Sequence, residues 1–176
     1  MNKSILVTGI SGTGKSTIAN ELNNQGYKAI SIEDIEGLCT IINKKTGKPF
    51  KNFDINNIEM IKQSDWICNK KKLQLLLRKN SKGIVFYCGS SSNFDEILPF
   101  FDKIFLLKTS VKVLRERLNT RTSNKFGRTV EVQKWVFGWK NWWEAHMKEK
   151  GAIVINVSRP PQVIAKEIIK KSTNKR

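Results

Sequence analysis

Histidine, proline and cysteine are scarce: the 176 residues contain one histidine, four prolines and three cysteines. Cys39, Cys68 and Cys88 are odd in number and have neither zinc nor redox-motif spacing, which argues against a metal module and a disulfide scaffold. No apolar run is long enough for a membrane span. The first residues read as a strand entering a glycine loop rather than as a signal peptide. The sequence therefore predicts a reduced, cytoplasmic protein with no membrane partner.

Acidic residues are also few, since 15 Asp and Glu stand against 32 Lys and Arg, for a net charge of +17. This balance favours a polyanionic partner such as nucleic acid. Codon bias is the alternative, because 25 Lys, 20 Ile and 16 Asn fill over a third of the chain. The excess is lysine scattered over predicted helices and the tail, without the interleaved aromatic residues of a stacking groove. Nucleic acid is therefore the lesser hypothesis, and a monomer and a homodimer both stay open.

The length and the pattern of apolar runs predict one domain over residues 1–176 with a core of its own. Strands alternate with helices five times, which favours a parallel sheet covered on both faces. The predicted strands are residues 4–8, 29–32, 84–88, 103–107 and 152–157. Predicted helices run from residue 16 to about 26, over 111–118 and 131–150, and from Pro161 to about 171. Residues 38–53 are predicted as loop or hairpin, and Asp54 as the cap of one or two helices reaching Lys79.

Residues 9–16, GISGTGKS, match the phosphate-loop pattern G-x-x-x-x-G-K-[ST] between a predicted strand and a predicted helix. Glycines let successive backbone N–H groups converge on phosphates at the positive end of the helix. The lysine reaches the β- and γ-phosphates, and the following hydroxyl holds Mg²⁺. The predicted nucleotide-binding residues here are Gly9, Ser11, Gly12, Thr13, Gly14, Lys15, Ser16 and Thr17, with Ser16 also a metal ligand.

Four of the seven arginines fall within fourteen residues, at Arg115, Arg117, Arg121 and Arg128. Arginine forms bidentate contacts with phosphate that lysine does not replace, although cations in a last helical turn also complement the helix dipole. The polar segment 119–129 contains a glycine and is suited to a lid that closes over the phosphates and excludes water. We assign Arg121 a catalytic role, Arg128 a contact with the acceptor, and Arg115 a structural one.

Asp34 follows the second predicted strand, at the edge where parallel sheets bind ligands. Its carboxylate would deprotonate an acceptor hydroxyl or hold Mg²⁺, which makes Asp34 a predicted catalytic, acceptor-binding and metal residue. The alternative is that this acidic cluster merely offsets nearby lysines. The third strand, IVFYC, ends without an acid, and the following loop offers Gly89 and Ser90 to hold an acceptor.

The long segment between the second and third strands is basic but has no arginine before Arg78. This composition favours an uncharged hydroxyl acceptor over a phosphate-bearing one. Tryptophans recur at helical spacing in the helix after the lid and, with His146, share one predicted face, which is typical of core packing. The alternative is that Trp139 or Trp142 lines the acceptor pocket.

The loop GISGTGKST, the helix end RERLNTR at residues 115–121 and NVSRPP after the fifth strand together resemble the small P-loop kinases, the group of adenylate and shikimate kinases. The resemblance implies a three-layer α/β/α P-loop fold with strand order 2-3-1-4-5, a short lid at about 119–129 and a helical acceptor-binding insert at about 35–80. It implies that Arg117 stacks on adenine, that Arg121 contacts phosphates, and that Ser158, Arg159 and Pro160 border the adenine.

The leading hypothesis is an enzyme that moves the γ-phosphate of ATP, with Mg²⁺, to a hydroxyl of a small metabolite or nucleoside. A nucleoside monophosphate kinase is the alternative within this class. A nucleotide-dependent protein associated with nucleic acid or with regulation is the alternative from another class, and phosphorylation of a polynucleotide end would combine the two.

Overall fold

A five-stranded parallel sheet forms the centre of the protein, which a computed structural model describes over residues 2–122 and 124–173. Ser123 of the predicted lid and residues 174–176 of the basic tail lie outside the described residues. The strands of this sheet are β1 (Lys3–Thr8), β2 (Lys28–Ser31), β5 (Ile84–Cys88), β6 (Lys103–Lys108) and β7 (Ile153–Asn156). Their spatial order is β2-β5-β1-β6-β7. These strand numbers differ from the predicted order 2-3-1-4-5 only because two strands outside this sheet lie between β2 and β5 in the sequence. When the five strands of the sheet are numbered by themselves, their spatial order is 2-3-1-4-5.

The helices cover both faces of the sheet. They are α1 (Lys15–Asn24), α2 (Ile58–Lys62), α3 (Lys70–Lys79), α4 (Phe94–Ile97), α5 (Val111–Thr120), α6 (Val130–Glu149) and α7 (Pro161–Thr173), with a 3-10 helix at Leu98–Phe100. Alternate residues of each strand face opposite layers, as the pleat requires. On β1, Ile5 and Val7 pack with α1 and α7, whereas Leu6 packs with α3, α5 and α6. The predicted three-layer α/β/α class is confirmed.

The segment between β2 and β5 is not purely helical, which corrects the predicted helical insert. It contains an antiparallel pair, β3 (Cys39–Asn43) and β4 (Ser64–Cys68), with α2 before β4 and α3 after it. The side chain of Asn57, not Asp54, caps α2, and Asn69 caps α3. The apolar spacing at Ile55, Ile58 and Ile61 is helical, but it continues only to Lys62 before the chain turns into β4.

Helix α6 carries four tryptophans, and most but not all of its predicted tryptophan face packs against the core. Trp143 is buried and belongs to the same core cluster as Val132, Val136 and Met147. Trp142 is 61% exposed, because it lies about 100° around the helix from Trp143. It stacks on the His146 ring with centroids 5.4 Å apart, so the prediction that one face carries all the tryptophans is wrong.

None of the helices formed by the described residues is long and apolar enough to cross a bilayer. The thiols of Cys39, Cys68 and Cys88 are free.

Candidate active site

The phosphate loop lies between β1 and α1, as the sequence predicts. Gly12 and Gly14 have φ values of 90° and 93°, a left-handed conformation that side chains other than hydrogen disfavour. A Cβ at Gly9 would lie 2.4 Å from Thr13 Oγ1, so the loop closes tightly at its base. The buried Thr13 hydroxyl donates to Ile10 O at 2.8 Å. The loop is thus a fixed cradle of backbone groups at the start of α1, where anions bind favourably.

Lys15 points back over this cradle. Its Nζ donates to Gly9 O at 3.0 Å and lies 3.5 Å from Glu33 Oε1, with 11% of the side chain exposed. Ser16 and Thr17 follow in the first turn of α1 and are exposed, while Ser11 is half-buried. The ammonium is therefore held within the loop by a carbonyl and a carboxylate, both of which a bound phosphate would compete with.

Glu33, not Asp34, is the carboxylate joined to the phosphate loop. Glu33 Oε1 accepts from Ser90 N at 2.9 Å and from Ser90 Oγ at 3.0 Å, in addition to its ion pair with Lys15. Asp34 is exposed, and among the described residues its carboxylate has neither a hydrogen bond nor an ion pair. The structure therefore brings Lys15, Glu33 and Ser90 together and leaves the predicted Asp34 at the surface.

The packing of the preceding residue, Ile32, explains why Glu33 faces the phosphate loop. Ile32 is fully buried, and its backbone N donates to Cys88 O at 3.0 Å, so the chain continues past β2 beside β5. A Cβ at Gly89 would lie 2.3 Å from Ile32 Cγ1, so only glycine leaves room for this approach. Strand alternation after a buried Ile32 turns Glu33 toward Ser90, an inference that the sequence alone permitted but did not require.

Cys88 ends β5 at the position where the sequence lacks an acid. Burial raises the pKa of this thiol to about 12, with Lys15 opposing the shift and Glu33 adding to it. The thiol is therefore neutral at physiological pH. The only negative charge among these three neighbours is that of Glu33.

Arg117 connects the phosphate loop with the end of β7. Its Nη2 donates to Val157 O at 3.0 Å, and its Nη1 donates to Thr13 O at 3.4 Å and Gly12 O at 3.5 Å. The guanidinium thus lies at the junction of the two segments that the sequence assigns to nucleotide binding. Arg115, by contrast, lies over the Phe137 ring, 5.9 Å from its centroid, which agrees with a structural role.

Arg121 and Arg128 lie within the predicted lid. Arg121 Nη2 donates to Asn124 Oδ1 at 3.1 Å and to Phe126 O, and Arg128 Nη2 donates to Arg121 O at 2.8 Å. Arg121 Nε is buried without a hydrogen-bond partner. Burial lowers the pKa of Arg121, Arg128 lowers it further, and Glu33 acts in the opposite direction. The predicted lid segment therefore holds Arg121 partly desolvated, with its Nε–H left without a hydrogen-bond partner.

The loop after β7 carries the other predicted adenine-border residues. Ser158 Oγ is 3.3 Å from Thr109 Oγ1. Arg159 pairs with Glu167 and donates to Asn156 O at 3.3 Å, and Pro160 O accepts the first backbone donors of α7. The Arg159 guanidinium is thus engaged within its own loop and helix, whereas Arg117 reaches across to the phosphate loop.

Comparison with known proteins identifies a family and related folds. A family model described as AAA domain matches residues 5–136. The protein named adenylate kinase isoenzyme 6 homolog, from Plasmodium falciparum, is 31% identical over 139 residues, covering 73% of this chain and 72% of the relative.

Two solved structures share the fold at low identity. Shikimate kinase from Acinetobacter baumannii in complex with shikimate has a TM-score of 0.60 and 16% identity, covering 98% of this chain and 96% of that one. Deoxyadenosine kinase from M. mycoides with bound dATP has a TM-score of 0.56 and 15% identity, covering 97% and 100%.

Proposed function

This chain belongs to the AAA domain family and is a small P-loop kinase, and on that premise we propose that it moves the γ-phosphate of ATP to a hydroxyl of a small metabolite or nucleoside. One observation carries the proposal. The phosphate-loop lysine, Lys15, is paired with a carboxylate, Glu33, that is itself bound to Ser90 of the loop after β5. Phosphoryl transfer to an alcohol needs a group that orients the attacking hydroxyl, and Glu33 is held between the phosphate loop and a neighbouring polar loop where it can do so.

The proposed roles follow from these contacts. The phosphates replace Gly9 O and Glu33 as partners of Lys15, which neutralises the charge that develops on the transferred group. Glu33, released from Lys15, orients the acceptor hydroxyl and takes its proton, while Ser90 holds the carboxylate in place. Arg117 borders the adenine at the end of β7. Arg121 turns its unsatisfied Nε toward the phosphates when the lid closes, with Arg128 beside it.

The donor set fits Mg²⁺, which prefers a few oxygen ligands and keeps several waters. Ser16 and Glu33 would hold the ion in this proposal, the first directly and the second directly or through water, and Asp34 is the alternative carboxylate. The ion would neutralise charge on the β- and γ-phosphates.

Two lysines of the insert are engaged by other groups of the chain, which favours an uncharged acceptor. Lys72 Nζ donates to Gly37 O at 3.0 Å and Lys70 pairs with Glu96 at 2.5 Å. A nucleoside monophosphate kinase is the second candidate, and the observation that favours it is the 31% identity with the adenylate kinase isoenzyme 6 homolog. Arg78, in the last turn of α3, is the arginine of the insert that such an acceptor phosphate would use.

An acceptor panel tests the proposal. ATP consumption with Mg²⁺ is measured with nucleosides, nucleoside monophosphates, sugars, polyols and an oligonucleotide, each against water alone. We expect an uncharged hydroxyl compound to raise ATP consumption well above the water rate, and the K15A variant to abolish that increase. An increase with nucleoside monophosphates alone would select the second candidate, and an increase with the oligonucleotide alone would select polynucleotide phosphorylation. ATP consumption equal to the water rate with every acceptor would contradict phosphotransfer.

Free thiols at Cys39, Cys68 and Cys88 support a reducing compartment such as the cytoplasm for this reaction.

A further inference from the structure

Two of the three cysteines face each other across the β3-β4 hairpin. The antiparallel register pairs Cys39 directly with Cys68, although 28 residues separate them in the sequence. Cys39 is half-buried and Cys68 is buried. Neither side chain has a part in the proposed phosphoryl transfer, so this pair is unexplained by the site described above.

The backbone hydrogen bonds identify the type of pair. The neighbouring residues Leu38 and Asn69 are bonded to each other, with Asn69 N donating to Leu38 O at 2.8 Å. Because bonded and non-bonded pairs alternate along an antiparallel ladder, Cys39 and Cys68 form a non-bonded pair. The Cys68 backbone confirms this, since its N–H donates to Asn93 Oδ1 at 2.9 Å and its carbonyl accepts from Asn93 Nδ2 at 3.1 Å.

Non-bonded pairs bring side chains closest. Their Cα atoms lie about 4.5 Å apart, which falls within the range of about 4.4–6.8 Å found for disulfides. The two thiols also interact as they stand. A hydrogen bond between them lowers the pKa of Cys68 and raises the pKa of Cys39, and the nearby Glu33 carboxylate raises that of Cys39 further. Cys68 therefore loses its proton before Cys39, and the two sulfurs need little movement to bond.

We propose that Cys39 and Cys68 are a modification site, at which a reversible disulfide forms by exchange with a low-molecular-weight disulfide such as oxidised glutathione. With the Cys68 thiol deprotonated, the more accessible Cys39 passes its own proton to the Cys68 thiolate as its sulfur attacks one glutathione sulfur. The glutathione S–S bond breaks and releases one glutathione thiolate. Cys68 gives up its proton and attacks the Cys39 sulfur, releasing the second glutathione. The protein loses two electrons and two protons, and one glutathione disulfide gains them as two glutathione thiols.

The burial of each sulfur matches its step. The first attack needs contact with a dissolved molecule, and Cys39 is the more accessible thiol. The second attack is intramolecular, so a buried Cys68 is no obstacle. Cys88 belongs to the other core cluster, on the opposite face of the sheet, and serves as an internal reference thiol. This inference does not depend on the identity of the phosphoryl acceptor.

Mass spectrometry tests the proposal on the full chain. The reduced protein is equilibrated in buffers of increasing oxidised-to-reduced glutathione ratio, quenched with acid, alkylated in denaturant and digested with trypsin. Trypsin places the three cysteines on separate peptides, 29–44, 63–70 and 83–103. We expect peptides 29–44 and 63–70 to appear joined and lighter by two hydrogen atoms, in a fraction that rises with the ratio and returns to zero with dithiothreitol.

Cysteine variants separate the attack on glutathione disulfide from the closure of the protein disulfide. C68A should stop at a glutathione adduct on Cys39, whereas C88A should give the same linked peptides as the unaltered chain. The unaltered chain decides the question even where a variant folds poorly. Glutathione adducts without linked peptides, a link that involves Cys88, or full alkylation of both cysteines in every buffer would each overturn the proposal.

Discussion

Glu33 and Asp34 are adjacent carboxylates in different surroundings. Glu33 is bound to Lys15 and Ser90, whereas Asp34 is exposed and without a polar side-chain contact among the described residues. Each can be changed to its amide without altering shape, which makes E33Q and D34N a matched pair. We expect E33Q to lower kcat by about 10²-fold or more, the usual contribution of a positioned acid or base. Steady-state kinetics with the acceptor found in the panel would measure it.

The control in this pair is D34N, for which we expect kcat within about threefold of the unaltered enzyme, because an exposed carboxylate without contacts contributes little. The reverse order, with D34N severe and E33Q mild, would restore Asp34 to the catalytic role that the sequence assigns to it. Nucleotide binding by both variants, followed by calorimetry, separates loss of catalysis from loss of the site.

Gly89 is a residue whose missing side chain positions the site. A Cβ there would overlap Ile32, which is fully buried, so the G89A variant must shift either β2 or the loop that carries Ser90. We expect a loss of about 1–3 kcal/mol in unfolding free energy, as for other overpacked positions, measured by urea denaturation.

The matched control is G138A in the exposed middle of α6, where an added Cβ meets nothing within 4 Å. Alanine is the better helix former, so this variant should gain up to about 1 kcal/mol. Equal stability of G89A and the unaltered protein would mean that the contact with Ile32 relaxes at no cost.

At the scale of elements, a buried ion network joins α6 to the central sheet. Glu144 is 3.2 Å from Lys108, the last residue of β6, and 2.6 Å from Lys140 one helical turn away. The side chains of Glu144 and Lys140 are only 5% and 6% exposed. The network therefore fixes the helix that follows the lid to the strand beside the phosphate loop.

Removing the anion would leave a buried ammonium without its counter-ion. We expect E144Q to lower the unfolding free energy by about 3–5 kcal/mol, the range for breaking one side of a buried pair, measured by denaturant titration. The control is Glu149, which lies in the same helix at an exposed position. E149Q should change the unfolding free energy by less than about 0.5 kcal/mol. A similar small effect for E144Q would show that water reaches the network.

The elements that the sequence predicts well are those with one dominant signal. The strand at Ile84–Cys88 and the start of α7 at Pro161 agree with prediction, since a continuous apolar run and a helix-starting proline admit few alternatives. The hairpin strand β4 was missed because SDWIC is short and mostly half-buried, so it lacks the alternation that marks a strand. The position of the phosphate loop between β1 and α1 was predictable from its motif. The choice between Glu33 and Asp34 was not, because it depends on how Gly89 and Ile32 pack.

At the scale of the whole molecule, the net charge of +17 bears on which partners the protein binds. A cationic surface binds nucleic acid through phosphates, and such binding releases counter-ions and weakens steeply with salt. Lysines are spread along the whole sequence, on the insert, on α6 and on α7 alike. Charge spread in this way attracts a polyanion without selecting a sequence.

We therefore expect binding to single-stranded DNA to be non-specific. Its affinity should fall by about 10³-fold or more between about 50 and about 200 mM salt, and two oligonucleotides of unrelated sequence should give the same curve by fluorescence anisotropy. Excess ATP with Mg²⁺ should not displace the DNA, because the phosphate loop holds the nucleotide separately from the scattered lysines. A sequence preference that survives at the higher salt concentration, or displacement by ATP at constant ionic strength, would instead tie the charge to a nucleotide-dependent function on nucleic acid.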